Sequence, residues 1–105
     1  MSSRTIAGAV IDVDAEGFMT QSTQWTPEIA IALSNELGIA PLTDAHWRVL
    51  TFARDDTAKH GQSPGPRRIV AGAGVTMKEL YALFPKGPGK LVARLAGVPK
   101  PKSCL

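Results

Sequence analysis

The chain's one thiol sits in GVPKPKSCL, residues 97–105, where Cys104 follows two prolines alternating with lysines. A single cysteine closes no internal disulfide, so its oxidation chemistry is intermolecular. A free cysteine is most often a small buried hydrophobe, but in a proline-rich tail, one residue from the terminal carboxylate, it has little core to enter. Either it is an exposed thiol without a role, or it is a nucleophile, which needs exposure and some thiolate character. Lys100 and Lys102 favour the thiolate, and the terminal carboxylate opposes them. Pro99 and Pro101 stiffen the segment, which from Gly97 to Cys104 spans roughly 20 Å in a polyproline II conformation. The tail reads as a reactive group on a flexible arm, with Pro99, Lys100, Pro101 and Lys102 as the stretch that docks to a partner.

Other chemistry-bearing residues point to less. DVDAEG, residues 12–17, places Asp12, Asp14 and Glu16 like the first half of a calcium loop. The twelfth position, which an EF-hand fills with a bidentate acid, is Thr23, so these read as strand and turn carboxylates. His46 and His60 have no cysteines or clustered acids at ligand spacing and read as structural or surface residues. No metal or cofactor is expected. The glycines of GAG (72–74) and KGPGK (86–90) lack the frame of a phosphate loop and read as helix stops and turns.

The elements that must position the tail are punctuated clearly. TIAGAVIDVDAEGFMT predicts a β-hairpin over about 4–13, with strands near 4–7 and 10–13. Thr26, Pro27 and Gly38 frame a helix over 27–37, and Thr43 and Gly61 frame a longer one over 44–60 with Trp47, Val49, Leu50, Phe52 and Ala53 on its buried face. A third helix starts at Pro66 and runs to 73. Thr76 and Glu79 form a capping box, with Val75 and Leu80 as its staple, for a fourth over 77–84. A fifth spans 88–96 and stops at Gly97. The expected fold is mainly α: a small orthogonal bundle with an N-terminal hairpin, one domain over 1–97 and a mobile arm over 98–105.

Composition agrees with one ordinary globular domain: 105 residues, 44% hydrophobic and 20% charged. No apolar run approaches the roughly 20 residues that span a bilayer, and no signal-peptide pattern is visible, so the expected location is the cytoplasm. The net charge of +3 is divided unevenly. Residues 1–58 hold three arginines against eight carboxylates, while 59–105 hold nine basic residues against Glu79 alone. A basic half is either a solvated face or a surface for an acidic partner, protein or nucleic acid.

RRIVAGAGVTMKELYALF, residues 67–84, has the order of a helix-turn-helix, and GVTMKELYALFPKG resembles the recognition-helix segment of TetR-type repressors. In a small DNA-binding regulator Thr76, Met77, Lys78 and Tyr81 would face the major groove, and Arg67, Arg68 and Lys86 would add nucleic-acid or partner contacts. The same packing also builds small bundles that bind no DNA.

DAEGFMTQSTQW, the helix ending ELGI, LTDAHWRVLTFAR, KELYALFPKGPGK and LAGVPKPKSC run in order over nearly the whole chain. Together they resemble the DsrC/TusE family of sulfur carriers, related to the gamma subunit of dissimilatory sulfite reductase. The resemblance implies a helical bundle with a hairpin and a C-terminal arm on which Cys104 accepts sulfur as a persulfide, a sulfurtransferase component without a cofactor. It implies as partners a TusBCD-like donor complex and a tRNA thiolase, with indirect tRNA contact or weak DNA contact through the basic half. DsrC proper carries a second cysteine eleven positions earlier, where this chain has Ala93. That departure favours a single-thiol, TusE-like carrier over an accessory or gamma subunit of a sulfite-reductase-like complex. The segment between Ile69 and Leu80 also reads as shorter than in typical members, which bears on partner choice.

Overall fold

The computed structural model describes residues 2–102; Ser103, Cys104 and Leu105 lie outside the described residues. In chain order come β1 (Ser2–Ile6), β2 (Ala9–Val13), a 3-10 turn (Ser22–Gln24), α1 (Pro27–Glu36), α2 (Asp44–His60), α3 (Pro66–Ala73), α4 (Met77–Leu83) and α5 (Pro88–Ala96). The fold is mainly α with an N-terminal hairpin.

β1 and β2 pair antiparallel with Ile6 opposite Ala9 and Ser2 opposite Val13. Their connection is Ala7–Gly8, both with positive φ (52° and 79°), the backbone a two-residue hairpin turn requires. The turn thus falls one residue earlier than the sequence suggests, because Ala7 takes a left-handed conformation that alanine rarely adopts. Ile11 and Val13 point into the core while Val10 stays exposed, the period of two expected of a half-buried strand.

The helices start and stop at the punctuating residues. Thr26 accepts a hydrogen bond from the Ile29 amide at 3.3 Å, with Pro27 in the first turn. Thr76 accepts from the Glu79 amide and the Glu79 carboxylate accepts from the Thr76 amide, at 3.0 and 2.8 Å. These bonds pull the Glu79 carboxyl below its usual range, the backbone bond most. At α2 the reciprocal cap is made by His46 instead of Glu. Its Nδ1 accepts from the Thr43 amide at 3.0 Å, which leaves Nε2 to donate to the Leu83 carbonyl at 3.1 Å. His46 is buried edge-on against Phe84 and joins α2 to the end of α4.

The core is continuous. Ile29, Ala30 and Leu33 of α1, Val49, Leu50 and Ala53 of α2, Ile69 of α3, Leu80 of α4 and Val92, Leu95 and Ala96 of α5 meet Ile6, Ile11 and Val13 of the hairpin. α2 packs against both α3 and α5. Between α2 and α3, Gly72 admits the Phe52 ring so closely that a Cβ there would stand 2.1 Å from it.

Next to that contact Arg68 crosses from α3 to the buried Asp56 of α2, with Nη2 at 2.5 Å and Nε at 3.2 Å from its carboxylate oxygens. The Arg68 hydrogen bonds hold the Asp56 carboxyl below its usual value, partly opposed by burial. A carboxyl depressed in the folded state adds stability above its unfolded pKa of about 3.9, and this is lost as pH falls through the depressed value. Acid unfolding followed by circular dichroism is therefore expected to show a shallower loss of stability below about pH 4 in Asp56→Asn than in the parent protein.

Candidate functional site

The candidate site is the C-terminal tail, and its described part is its root. Gly97 ends α5 with φ 69°, and the Val98 amide donates back to the Ala93 carbonyl at 3.1 Å, closing a Schellman turn with Val98 buried beneath it. The last carbonyls of a helix have no partner within it. Here Trp25 Nε1 donates to the Leu95 carbonyl at 2.7 Å and Arg54 Nη1 donates to the Ala96 carbonyl at 2.9 Å. The Arg54 guanidinium lies over the Trp25 ring, 4.2 Å from its centroid, and its other nitrogen reaches the Ser22 carbonyl. Burial pushes the Arg54 pKa down from its usual value, and Asp55 pulls the other way. Trp25 presses on Gly97 so tightly that a Cβ would stand 2.5 Å from the indole.

From Gly97 the chain stays against the body. The Ser63 hydroxyl donates to the Pro99 carbonyl. Lys100 Nζ reaches the Glu16 carboxylate at 3.0 Å, and Pro101 is buried while Lys102 is exposed. The sequence sets the end of the body at Gly97 and assigns everything after it to a mobile arm. The contacts carry the body's hold on to Pro101, because two distant loops supply partners that no local pattern announces. Pro99, Lys100 and Pro101, expected as a partner-docking stretch, bear on their own domain. Cys104 lies outside the described residues.

Glu16 belongs to the turn that DVDAEG makes. Asp14 Oδ1 accepts from the amides of Glu16 and Phe18 at 2.9 and 3.0 Å, and Asp12 exchanges two hydrogen bonds with the Gln24 side chain. More specifically, the Asp12 backbone amide donates to Gln24 Oε1 and Gln24 Nε2 donates to Asp12 Oδ2. Each acid of the calcium-like stretch serves the turn or the tail. Among the described residues no three His, Cys, Asp or Glu side chains gather at metal-ligand distance, and no helix is long and apolar enough to cross a membrane. His60 Nε2 lies 3.6 Å from Asp56.

The basic candidates are not brought into one cluster. Arg68 is bound to Asp56, and the Thr76 hydroxyl is used by its own helix cap. Arg67, Lys78 and Lys86 are exposed. Lys86 takes a left-handed backbone, φ 65°. Met77 and Tyr81, one turn apart on α4, are 37% and 47% exposed. Ala93, where a second thiol would stand, is buried in the core. Sequence reasoning missed Glu16, Trp25, Arg54 and Ser63 as the residues that set the tail, and the Gly–Val pair after α5 was the only local sign of the turn they support.

The sequence model of the family described as DsrC like protein matches residues 5–105. The chain belongs to the DsrC family. Over 105 residues it is 34% identical to the gamma subunit of dissimilatory-type sulfite reductase from Nitratidesulfovibrio vulgaris, covering all of both chains. It is 38% identical to the sulfurtransferase TusE of Yersinia pseudotuberculosis, over 93% of this chain and 96% of that one. The fold is similar to the oxidized gamma subunit (DsrC) from Archaeoglobus fulgidus, with a TM-score of 0.81, 30% identity and coverage of 99% and 100%. The matched segment includes the tail as well as the bundle.

The junction carries a stability prediction. Gly97→Ala combines a left-handed backbone with overlap on Trp25 and is expected to lose more than about 1 kcal/mol. Trp25→Phe removes the hydrogen bond to the Leu95 carbonyl and is expected to lose about 1 kcal/mol. Urea unfolding measures both.

Proposed function

We propose that this protein is a sulfur-relay carrier of the TusE kind, accepting sulfur as a persulfide on Cys104 and handing it to an acceptor. The observation that carries the reading is that the family match extends through residue 105 and so takes in the only thiol of the chain. The Cys104 thiolate attacks the outer sulfur of a donor persulfide, forming Cys104–S–SH as the donor leaves as a thiolate. An acceptor thiolate then attacks that outer sulfur, and Cys104 leaves as the thiolate it began as. Sulfur moves without net oxidation, so neither cofactor nor metal enters.

Ala93 supports this reading over a role in sulfite reduction. With one thiol the chain cannot hold a sulfur between two of its own cysteines or close an internal disulfide. The full-length similarity to a sulfite reductase gamma subunit favours the second reading, an accessory subunit of such a complex. In the first, the partners are a TusBCD-like donor and a tRNA thiolase, in the cytoplasm, where thiols stay reduced. Met77, Lys78 and Tyr81 of α4 are exposed and open to such a partner. The DNA-binding reading gains nothing from these contacts, since Arg68 and Thr76 already serve the fold.

Incubation with a cysteine desulfurase, cysteine and candidate relay proteins tests the proposal by mass spectrometry. The parent chain is expected to gain about 32 Da, one sulfur atom, and Cys104→Ser to gain none. A parent chain that stays unloaded with every donor contradicts it.

A further inference from the structure

Arg94, on α5 one turn before the tail begins, is a cation without an ion-pair partner among the described residues. Its Nε is buried and makes no hydrogen bond, and no ion pair is formed by its guanidinium among the described residues. Buried donors in folded proteins are almost always satisfied, so an orphaned one asks for a ligand or a water. The neighbourhood keeps the guanidinium in place. Gly17, with φ 91°, lies against it, and a Cβ there would stand 3.1 Å from Nη2.

Two of the carboxylates near Arg94 are already paired with other cations. Glu36 is taken by Arg4 at 2.7 Å. The Arg4 hydrogen bond is the largest cause of its lowered pKa, and the Arg94 charge adds a smaller pull. Glu16, beside Gly17, is taken by Lys100 at 3.0 Å. Asp14 spends one carboxylate oxygen on the amides of Glu16 and Phe18. Arg4, Arg94 and Lys100 thus stand near three carboxylates, Glu36, Glu16 and Asp14; Arg4 and Lys100 form ion pairs with the first two, and Arg94 forms none among the described residues. Through Glu16 and Gly17 the same short turn touches both Arg94 and the tail root.

We infer that Arg94 is an anion-binding residue at the root of the tail, its guanidinium taking a compact anion with sulfur or oxygen acceptors. That chemistry has two sources: a small sulfur oxyanion from solution, or the persulfide carried by the tail. The second source rests on the function proposed above; the first does not.

Nuclear magnetic resonance of the full chain, observing Arg94 Nε–Hε and the Gly17 amide, tests it with thiosulfate as the probe. Saturable shifts of both signals are expected in thiosulfate and not in sodium chloride of equal ionic strength. Arg94→Gln is expected to weaken the Gly17 response about tenfold or more, and Arg94→Lys, which keeps the charge, less so. Shifts on loading Cys104 with sulfur, without thiosulfate, identify the tail as the source. The thiosulfate arm reads the site even if Cys104 accepts no sulfur, so the two ideas fail separately. Signals that follow ionic strength alone, or that stay still in thiosulfate and on sulfur loading alike, overturn the inference.

Discussion

The contact on which the root of the C-terminal tail depends is that of the Trp25 indole against the Cα of Gly97. Only glycine allows both the left-handed turn that ends α5 and the approach of the ring. The indole N–H then takes one orphan carbonyl of the helix, and Arg54, lying over the ring, takes the next. A segment before α1 and the middle of α2 are thereby tied to the last turn of α5, so the direction in which the chain leaves the bundle is set by the bundle itself.

Such a root suits a carrier. Sulfur transfer between thiols needs no built pocket, only a nucleophile that reaches its partners in turn. An arm free from Gly97 onward would sample many directions at a high entropic cost on docking. Ser63 and Glu16 hold the chain against the body at Pro99 and Lys100. The Lys100–Glu16 pair is partly exposed and contributes modestly; burial of Val98 and Pro101 supplies the apolar part of the hold.

Where structure follows from neighbours in sequence, the chain is legible. Pro66, Pro88, Gly61 and Gly97 place the ends of α2, α3 and α5, and Thr76 with Glu79 announces α4 before any packing is considered. α1 and α4 each end one residue earlier than their apolar patterns suggest, at Glu36 and Leu83. The hairpin register slips because the turn is Ala7–Gly8, with alanine in a conformation its type disfavours. Capping of α2 by His46 is invisible to a rule that looks for Glu or Gln. The tail's anchors pair residues 36 to 84 positions apart, and Trp25 finds Leu95 across 70, distances over which periodicity and capping rules carry no information. Cys104 is singled out by its place alone, one thiol behind two prolines, and lies outside the described residues.

In the proposed function the lone thiol is what carries sulfur, and the tail root sets where the chain that bears it leaves the bundle. The claim at the centre of the account is that the body's order continues past α5 as far as Pro101. Backbone 15N relaxation in solution tests it at Val98 and Lys100, whose amides report on either side of Pro99. The account predicts order parameters there close to those of α5, about 0.85 as in rigid backbone. Values falling below about 0.6 from Val98 onward, with α5 still rigid, would contradict it.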